Sequence, residues 1–450
     1  VPIDGALRPT TKEIDVPKIT VVGAGSHVFA RRLVTDVLTW PSLQDATIAL
    51  MDVDAEKLDV MAALARRMVT QAQVGTKIEA TTDLKQALDG ADYVTVAIRV
   101  GSFEPLIEIP FRYGIDQAIG DTIGPGGVFY FLQNAPAMLN IAKTMEEVCP
   151  DALMLNYTNP MVMLCWALGL MSDVRYVGLC HSVQNTAGDM AEYIGAPLDE
   201  IAYWAAGINH MAWFLKFLWQ GEDAYPLLWQ AMEDPEIYER DIVKWELLKY
   251  FGAFVSESSV HNSEYMPYFR RTPDLIDRHT SEKMWGVGVK GESKQERRAR
   301  WAARRSERER ENRALAYGDE VIPIVRSHEF FTRILNALET NSPYVFNGNV
   351  MNTGLITNLP PGAIVEVPIL ADGCGLHPCY VGDLPPALAG LNRSNLNLQE
   401  LAVKGFVEGK REFIYRAVQM DPLTSSVLTL PEIRQLADEL FAAAGDHITF

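Results

Sequence analysis

The segment that most narrows the folds open to this chain is Lys18–Gly25, KITVVGAG. A short β-branched run ending in Gly-x-Gly reads as a strand feeding a tight turn. Apolar residues at helical spacing follow over Val28–Leu38. The same alternation then repeats. Strands are predicted at Thr47–Met51, Ile78–Thr81, Tyr93–Ile98, Ala152–Leu155 and Val174–Leu179. Helices are predicted at Glu56–Gln73, Leu84–Leu88 and Ala137–Val148. Strands alternating with helices require crossover connections, hence a parallel, doubly wound α/β sheet over residues 17–180.

The first turn has the chemistry of a dinucleotide site. Gly23 permits the turn, and Gly25 lets backbone approach a pyrophosphate at the N-terminus of the next helix. The third glycine of the usual fingerprint is absent from GAGSHV, where Ser26 and His27 stand instead. Taken alone, the loop could be an ordinary strand–turn–helix. Asp52 closes the second strand, where a carboxylate accepts ribose hydroxyls and repels a 2′-phosphate, so NAD is favoured over NADP. Gly101, after the strand Tyr93–Ile98, fits the next backbone turn along the cofactor.

Beyond residue 185 the rhythm changes. Longer helices are predicted at Ile242–Phe251, Arg297–Leu315 and Glu329–Leu338, with strand and turn over 357–378. A second domain over 181–450 is expected. The mixed-sign run 294–313 reads as a solvated or oligomer-facing helix, with an anionic-ligand patch as the alternative. Net charge is −18 over 450 residues, which disfavours nucleic acid and anionic membrane as partners. No apolar run has the roughly 18–20 residues of a membrane span. Five scattered cysteines and no signal-peptide pattern lead to an expectation of a reducing cytoplasm.

Cys180-His181 ends the last parallel strand, and His210 lies in Gly207-Ile208-Asn209-His210. A thiolate and an imidazole can hold a divalent metal with positions left open for substrate. A Cys-His pair alone is as readily a buried thiol and a satisfied ring. Its place at a strand end, where ligands bind in such sheets, favours the site. His181, Asp121 and His210 could then share one pocket. The segment 256–269 (SESSVHNSEYMPYF) adds His261, Glu264 and Tyr265, one of which could act as general base. A plain helical face is the alternative.

These motifs together resemble glycoside hydrolase family 4, whose members use NAD and a metal. The resemblance runs through ITVVGAGSHVF, IALMDVD, DTIGPGG, MLNYTNPM, GLCHSVQ, GINHMAW, ESSVHNSEYMPYF, GNVMNTGLITNLP and MDPLTSSVLTL. It implies a Rossmann domain of lactate/malate-dehydrogenase type and a C-terminal α+β domain for substrate and oligomerisation. It also implies an NAD-dependent α-glycosidase, unlike the two-carboxylate hydrolases. Such an enzyme works by transient oxidation at sugar carbon 3, deprotonation at carbon 2, and elimination then addition at carbon 1. Cys180 and His210 would hold the metal, implied to be Mn. His181 would take the acid side, and His261 or Tyr265 would be the base. Asp121 and Asn156 match substrate- and cofactor-contacting positions, and Asn159 would lie beside the nicotinamide. A dimer or tetramer is implied. Cys180–Val183, CHSV, resembles the α-galactosidase subgroup.

The pattern breaks after GPGG, where the family carries arginines and this chain has Tyr130 and Gln133. Arg99 appears instead in IRVGSF. A moved cation changes which sugar substituent is stabilised. The related NAD-dependent sulfoquinovosidases, which cleave glycosides of 6-sulfonated glucose, are therefore a rival, with Arg99 and either Arg270 or Arg271 facing the sulfonate. A 2-hydroxy-acid dehydrogenase shares the N-terminal pattern, but would not need the Cys180–His210 pair. A non-catalytic NAD sensor is the remaining alternative.

Overall fold

The computed structural model describes residues 16–26, 29–284, 294–327, 329–445 and 448. Six parallel strands carry the first half: β1 (Lys18–Val22), β2 (Thr47–Met51), β3 (Lys77–Thr81), β4 (Tyr93–Val96), β5 (Leu153–Asn156) and β6 (Arg175–Gly178). Their order is β3-β2-β1-β4-β5-β6. In register, Val21 lies beside Leu50 on one side and Thr95 on the other, and Leu155 beside Thr95 and Val177. The central strands are buried along their length, as covered parallel strands must be. The order reverses between β1 and β4, which opens a crevice outside the carboxyl ends of the strands. Gly23, Asp52, Ala97 and Cys180 all follow such ends, and Asn156 closes β5.

The connecting helices are α1 (Phe29–Thr39), α2 (Ala55–Ala72), α3 (Leu84–Leu88), α4 (Glu104–Arg112), α5 (Gly124–Val148) and α6 (Met161–Met171). Three differ from expectation: α4 and α6 were not predicted, and α5 is longer than predicted. Helix α5 starts at Gly124, not Ala137, and carries Pro136 inside it. That proline reads in sequence as a boundary. Helix α6 has no periodic stripe because Met161–Leu168 are all buried, and an all-round apolar helix leaves no amphipathic signal.

The sheet does not stop at residue 180. It continues with β7 (Ile201–Ile208), β8 (Met211–Trp219), β9 (Glu222–Asp223), β10 (Tyr344–Met351), β11 (Ile364–Asp372) and β12 (Gly375–Pro378). Beyond β6 the order is β10-β11-β7-β8-β9, with β12 against β11. Strand β10 meets β6 antiparallel at Asn349–Gly178, and β11 meets β7 at Glu366–Gly207. Strands β11 and β12 fall within the predicted stretch 357–378. Strands β7, β8 and β10 fall where only helices and loops were expected. Much of β7 and β8 is buried without polar alternation, so no period of two marks them. Under them lies a separate core that includes Phe214, Phe217, Trp245 and Phe254.

Helix Pro386–Glu408 packs on α5 and α6, and Leu430–Ala444 on α4 and α5. Helix Lys294–Tyr317, the mixed-sign run, lies along α2, with Arg313 paired to Glu56. No helix among the described residues is long and apolar enough to cross a membrane.

The start of α5 is a tight backbone junction near the site. A Cβ at Gly127 would sit 2.4 Å from the Thr122 carbonyl carbon, and one at Gly126 2.6 Å from the Gly120 oxygen. Neither backbone can yield without moving the 120–122 turn. Gly127→Ala is expected to cost about 1–3 kcal/mol in urea unfolding. Gly390→Ala, in open space within helix Pro386–Glu408, is expected to be neutral or to stabilise by up to about 1 kcal/mol. Equal losses in both variants would rule this packing out.

Candidate active site

The cofactor crevice is assembled from bare backbone. Gly23 has φ +90°, and its N–H and that of Ala24 each donate to the Met51 carbonyl at 2.9 Å. A Cβ at Gly23 would lie 2.2 Å from the Ala97 oxygen, so glycine alone lets β1 turn against β4. Asp52 accepts the Gly25 N–H at 2.8 Å and the Asp54 N–H at 2.9 Å, which fixes its carboxylate at the end of β2. Ser26 N–H donates to the Gly23 carbonyl at 3.1 Å, and Ser26 O receives Ala30 N–H as α1 begins. His27 lies outside the described residues. Gly101 has φ +75° and faces the Gln133 amide. Asn159 is partly exposed beyond β5. The switch point, bare loop and strand-end carboxylate fit a dinucleotide.

A second group of side chains gathers beyond β6. Cys180 Sγ lies 3.2 Å from His210 Nε2, and Glu257 Oε2 lies 3.6 Å from the same nitrogen. One ligand atom from each of the three lies within 4.8 Å of the others. His210 occupies the two-residue turn between β7 and β8 with φ +63°. The Asn262 amide holds that turn, donating to the His210 carbonyl at 2.8 Å and the Ser256 carbonyl at 3.0 Å. Tyr265 Oη lies 3.4 Å from His210 Nδ1. For Nε2 to offer a lone pair, Nδ1–H must donate to that phenol oxygen. The His261 ring meets His210 edge-on at 4.8 Å and Tyr265 at 5.2 Å.

Electrostatics single out this group. Burial pushes the Cys180 thiol up, and the Glu257 charge adds to the effect. Burial also opposes ionisation of Glu257, but His210 and His261 outweigh it and hold the carboxyl low. Glu366, wholly buried on β11, is driven well above the carboxylate range by burial and by the charge of Cys180. Three acidic groups crowded in a dry pocket, two of them disfavoured as anions, with an imidazole beside them, are what a divalent cation would relieve. Several buried polar atoms nearby make no full hydrogen bond: both of Gln184 and Asn209, both oxygens of Glu366 and His261 Nε2, while His261 Nδ1 has only Glu264 Oε2 at 3.5 Å. Buried polar atoms left unpaired are costly, and here they mark room for a polar ligand.

His181 forms the other wall. Its Nε2 lies 2.6 Å from Glu329 Oε2, while Glu329 Oε1 accepts Tyr157 O–H at 2.8 Å and Phe330 N–H at 3.2 Å. Burial disfavours the charged ring, but the Glu329 hydrogen bond and charge outweigh it and raise the His181 pKa. Glu329 is lowered on the same balance: burial opposes ionisation, and His181 and Tyr157 favour it. Glu329 N–H in turn donates to Ser327 Oγ at 3.0 Å, and Ser327 holds the buried Asp36 of α1 through 2.6 and 2.7 Å bonds.

Asp121, ahead of α5, accepts Thr122 O–H at 2.7 Å. The strip leading to it is pinned by Glu264, which accepts the N–H groups of Ala118, Ile119 and Gly120 at 2.6, 2.7 and 3.0 Å. Glu264 is thus occupied as a fastener rather than open as a base. Asn156 is fully buried. It closes its own turn, accepting Thr158 N–H at 2.9 Å and donating to the Thr158 carbonyl at 3.2 Å, so its amide faces the fold and not an open pocket. Arg99 is exposed, 5.7 Å over the Phe103 ring and beside the Tyr130 hydroxyl. Arg270 is committed to Asp116, 3.3 Å from its carboxylate, which removes it as a sulfonate partner; Arg271 is exposed.

Sequence reasoning missed Glu257, Glu329 and Glu366. Glu366 had a legible signal, as the one charge in the apolar strand AIVEVPIL. Glu329 was read only as the first residue of a helix.

Residues 18–196 match the model of the family 4 glycosyl hydrolases, and residues 205–424 match that of the family 4 glycosyl hydrolase C-terminal domain. The chain belongs to glycosyl hydrolase family 4. It is 40% identical to an α-galactosidase of Bacillus subtilis, over 96% of this chain and 99% of that protein. It is 37% identical to an α-galactosidase of Rhizobium meliloti, over 95% of this chain and 88% of that one. The structure of a 6-phospho-α-glucosidase from gut microorganisms, solved with NAD and Mn²⁺, superposes with TM-score 0.78 over 96% of this chain and 99% of that one. Its 20% identity speaks for the fold alone.

The His181–Glu329 pair gives a directional test in the family 4 protein stripped of metal. Stability from Glu329 is in place above about pH 4.5 and is lost as pH falls through its lowered pKa. Stability from His181 is in place below about pH 6.5 and is lost as pH rises through its raised pKa. Glu329→Gln is expected to lower the His181 pKa, followed by NMR of its ring protons, and to remove the stability gain between those limits. An unchanged His181 titration would show that the pair carries no charge coupling.

Proposed function

We propose that this glycoside hydrolase is an NAD- and divalent-metal-dependent α-glycosidase, with α-galactosides as its substrate class. The observation that carries the reading is the 3.2 Å approach of Cys180 Sγ to His210 Nε2, beside the crevice at the β1–β4 switch point. Two relatives above one-third identity are α-galactosidases, which favours a neutral sugar. In this reading residues 17–180 form the cofactor domain. Residues 181–450 supply His210, His261, Tyr265 and the subunit contacts of an oligomer.

Cys180 and His210 would hold the metal, and Gly23–Ser26, Asp52, Gly101 and Asn159 would line the dinucleotide. When bound, these groups supply hydride exchange at a sugar carbinol and polarisation of its oxygens. The rest falls to side chains. His181, whose protonated form Glu329 favours against burial, donates to the leaving oxygen at carbon 1. Tyr265, whose oxygen faces His210 Nδ1–H, takes the proton from carbon 2, with His261 packed edge-on behind it. Accepting that hydrogen bond favours the phenolate, against the burial that raises the Tyr265 pKa. Asp121 orients sugar hydroxyls from the turn that Glu264 fastens.

The rival sugar is a 6-sulfonated glucose, and the observation for it is Arg99 standing beside Tyr130, where the stretch Gly124–Gln133 of α5 carries no cation. Hydrolysis of aryl α-galactoside and aryl α-sulfoquinovoside decides between them. The expected result is preference for the galactoside, with Arg99→Ala changing that rate less than tenfold. A preference for the sulfonated sugar that Arg99→Ala abolishes would overturn the galactoside assignment. Sugar release should proceed without net NADH accumulation, and Tyr265→Phe should lower kcat by about 10²–10⁴. Stoichiometric NADH would point to a simple dehydrogenase instead.

A further inference from the structure

We infer that Glu257 is a third protein ligand of the divalent cation, completing a thiolate–imidazole–carboxylate site; this rests on the Cys180–His210 metal reading above. The three groups come from separate elements: the residues after β6, the β7–β8 turn, and the segment after the Trp213–Val255 bridge. Their ligand atoms nevertheless lie within 4.8 Å of one another, and no other such cluster occurs among the described residues.

The backbone at Glu257 is shaped for this placement. It has φ +83°, a left-handed conformation that a residue with a Cβ adopts only at a cost in strain. His210, its neighbour in the cluster, is left-handed as well. The chain entering Glu257 is held: its own N–H donates to Thr186 Oγ1 at 3.0 Å, and Ser256 N–H to the Ala212 carbonyl at 2.8 Å. A carboxylate in a relaxed backbone would turn to solvent. Here it is turned inward and is 18% exposed.

The donor chemistry explains why a third ligand is needed. A thiolate is soft and suits zinc or copper better than manganese, whereas a carboxylate oxygen suits hard cations. Thiolate plus carboxylate neutralise a dication, and the neutral imidazole adds no charge. Three ligands on one side leave the remaining positions for water or sugar oxygens. The alternative is that Glu257 merely pairs with a protonated His210 across 3.6 Å. That reading predicts no dependence of metal affinity on the carboxylate.

The test is Mn²⁺ binding to the full chain after chelator treatment, with free Mn²⁺ read by its paramagnetic resonance signal and Cd²⁺ titrated in parallel. Loss of partners outside the ligand set weakens metal sites 10–100-fold, so loss of a ligand should exceed about 100-fold. Glu257→Gln is expected to weaken Mn²⁺ by that much, as Cys180→Ser and His210→Gln do, while weakening Cd²⁺ less because thiolate and imidazole remain. Retained NAD binding and an unshifted Tm would show that the variant folds. Should Glu257→Gln not fold, Glu257→Asp decides: a changed Mn²⁺/Cd²⁺ ratio supports the ligand, and an unchanged ratio overturns it. Mn²⁺ affinity within about threefold of wild type in Glu257→Gln, with Cys180→Ser deficient, overturns this inference alone. Wild-type affinity in Cys180→Ser and His210→Gln overturns the metal reading and this inference together.

Discussion

The site depends on one backbone contact, the meeting of Gly178 on β6 with Asn349 on β10. The parallel run ends there and the antiparallel half begins. A Cβ on Gly178 would lie 2.5 Å from Met161 Sδ and 2.9 Å from both Asn349 Cβ and Cys165 Sγ. Only a bare residue lets β10 close on β6. Through β10 and β11 that contact carries β7 into place, and the β7–β8 turn delivers His210 to a thiol two residues beyond Gly178. The two matched family segments are therefore joined by one hydrogen-bonded sheet, and the site forms across that joint.

Much of the first half was legible because its signals are local. Thr47–Met51 and Leu84–Leu88 were bounded correctly, since apolar content and flanking turn residues agree there. What escaped notice was decided by burial on all sides. Helix α6 is buried through most of its length, and β7 and β8 over the unbroken stretches Ala205–Ile208 and Met211–Phe214, so neither a period of 3.6 nor of 2 appears. Pro136 pointed the wrong way because a long helix packed along its length tolerates it.

The site shows the same division. Cys180 and His210 could be picked out because a thiol at a strand end and a histidine in a turn are chemically conspicuous. Glu257 and Glu329 could not be, because an acid is common and its partner is far along the chain. Glu257 meets residues that precede it by dozens of positions, and Glu329 meets His181 across 148. The charge balance is a property of the folded pocket. It raises Glu366 and lowers Glu257 although both are glutamates on neighbouring elements.

The bonds running from Asp36 through Ser327 to Glu329 and His181 link the helix that follows the dinucleotide loop to the ring on the opposite wall. Each link is short and its carboxylates are buried, so the path behaves as a strut and not as a tether. A shift of α1 would therefore move the imidazole as well. The two walls share one mechanical reference, and the His181 ring keeps its aim only while the loop of residues 23–26 keeps its shape.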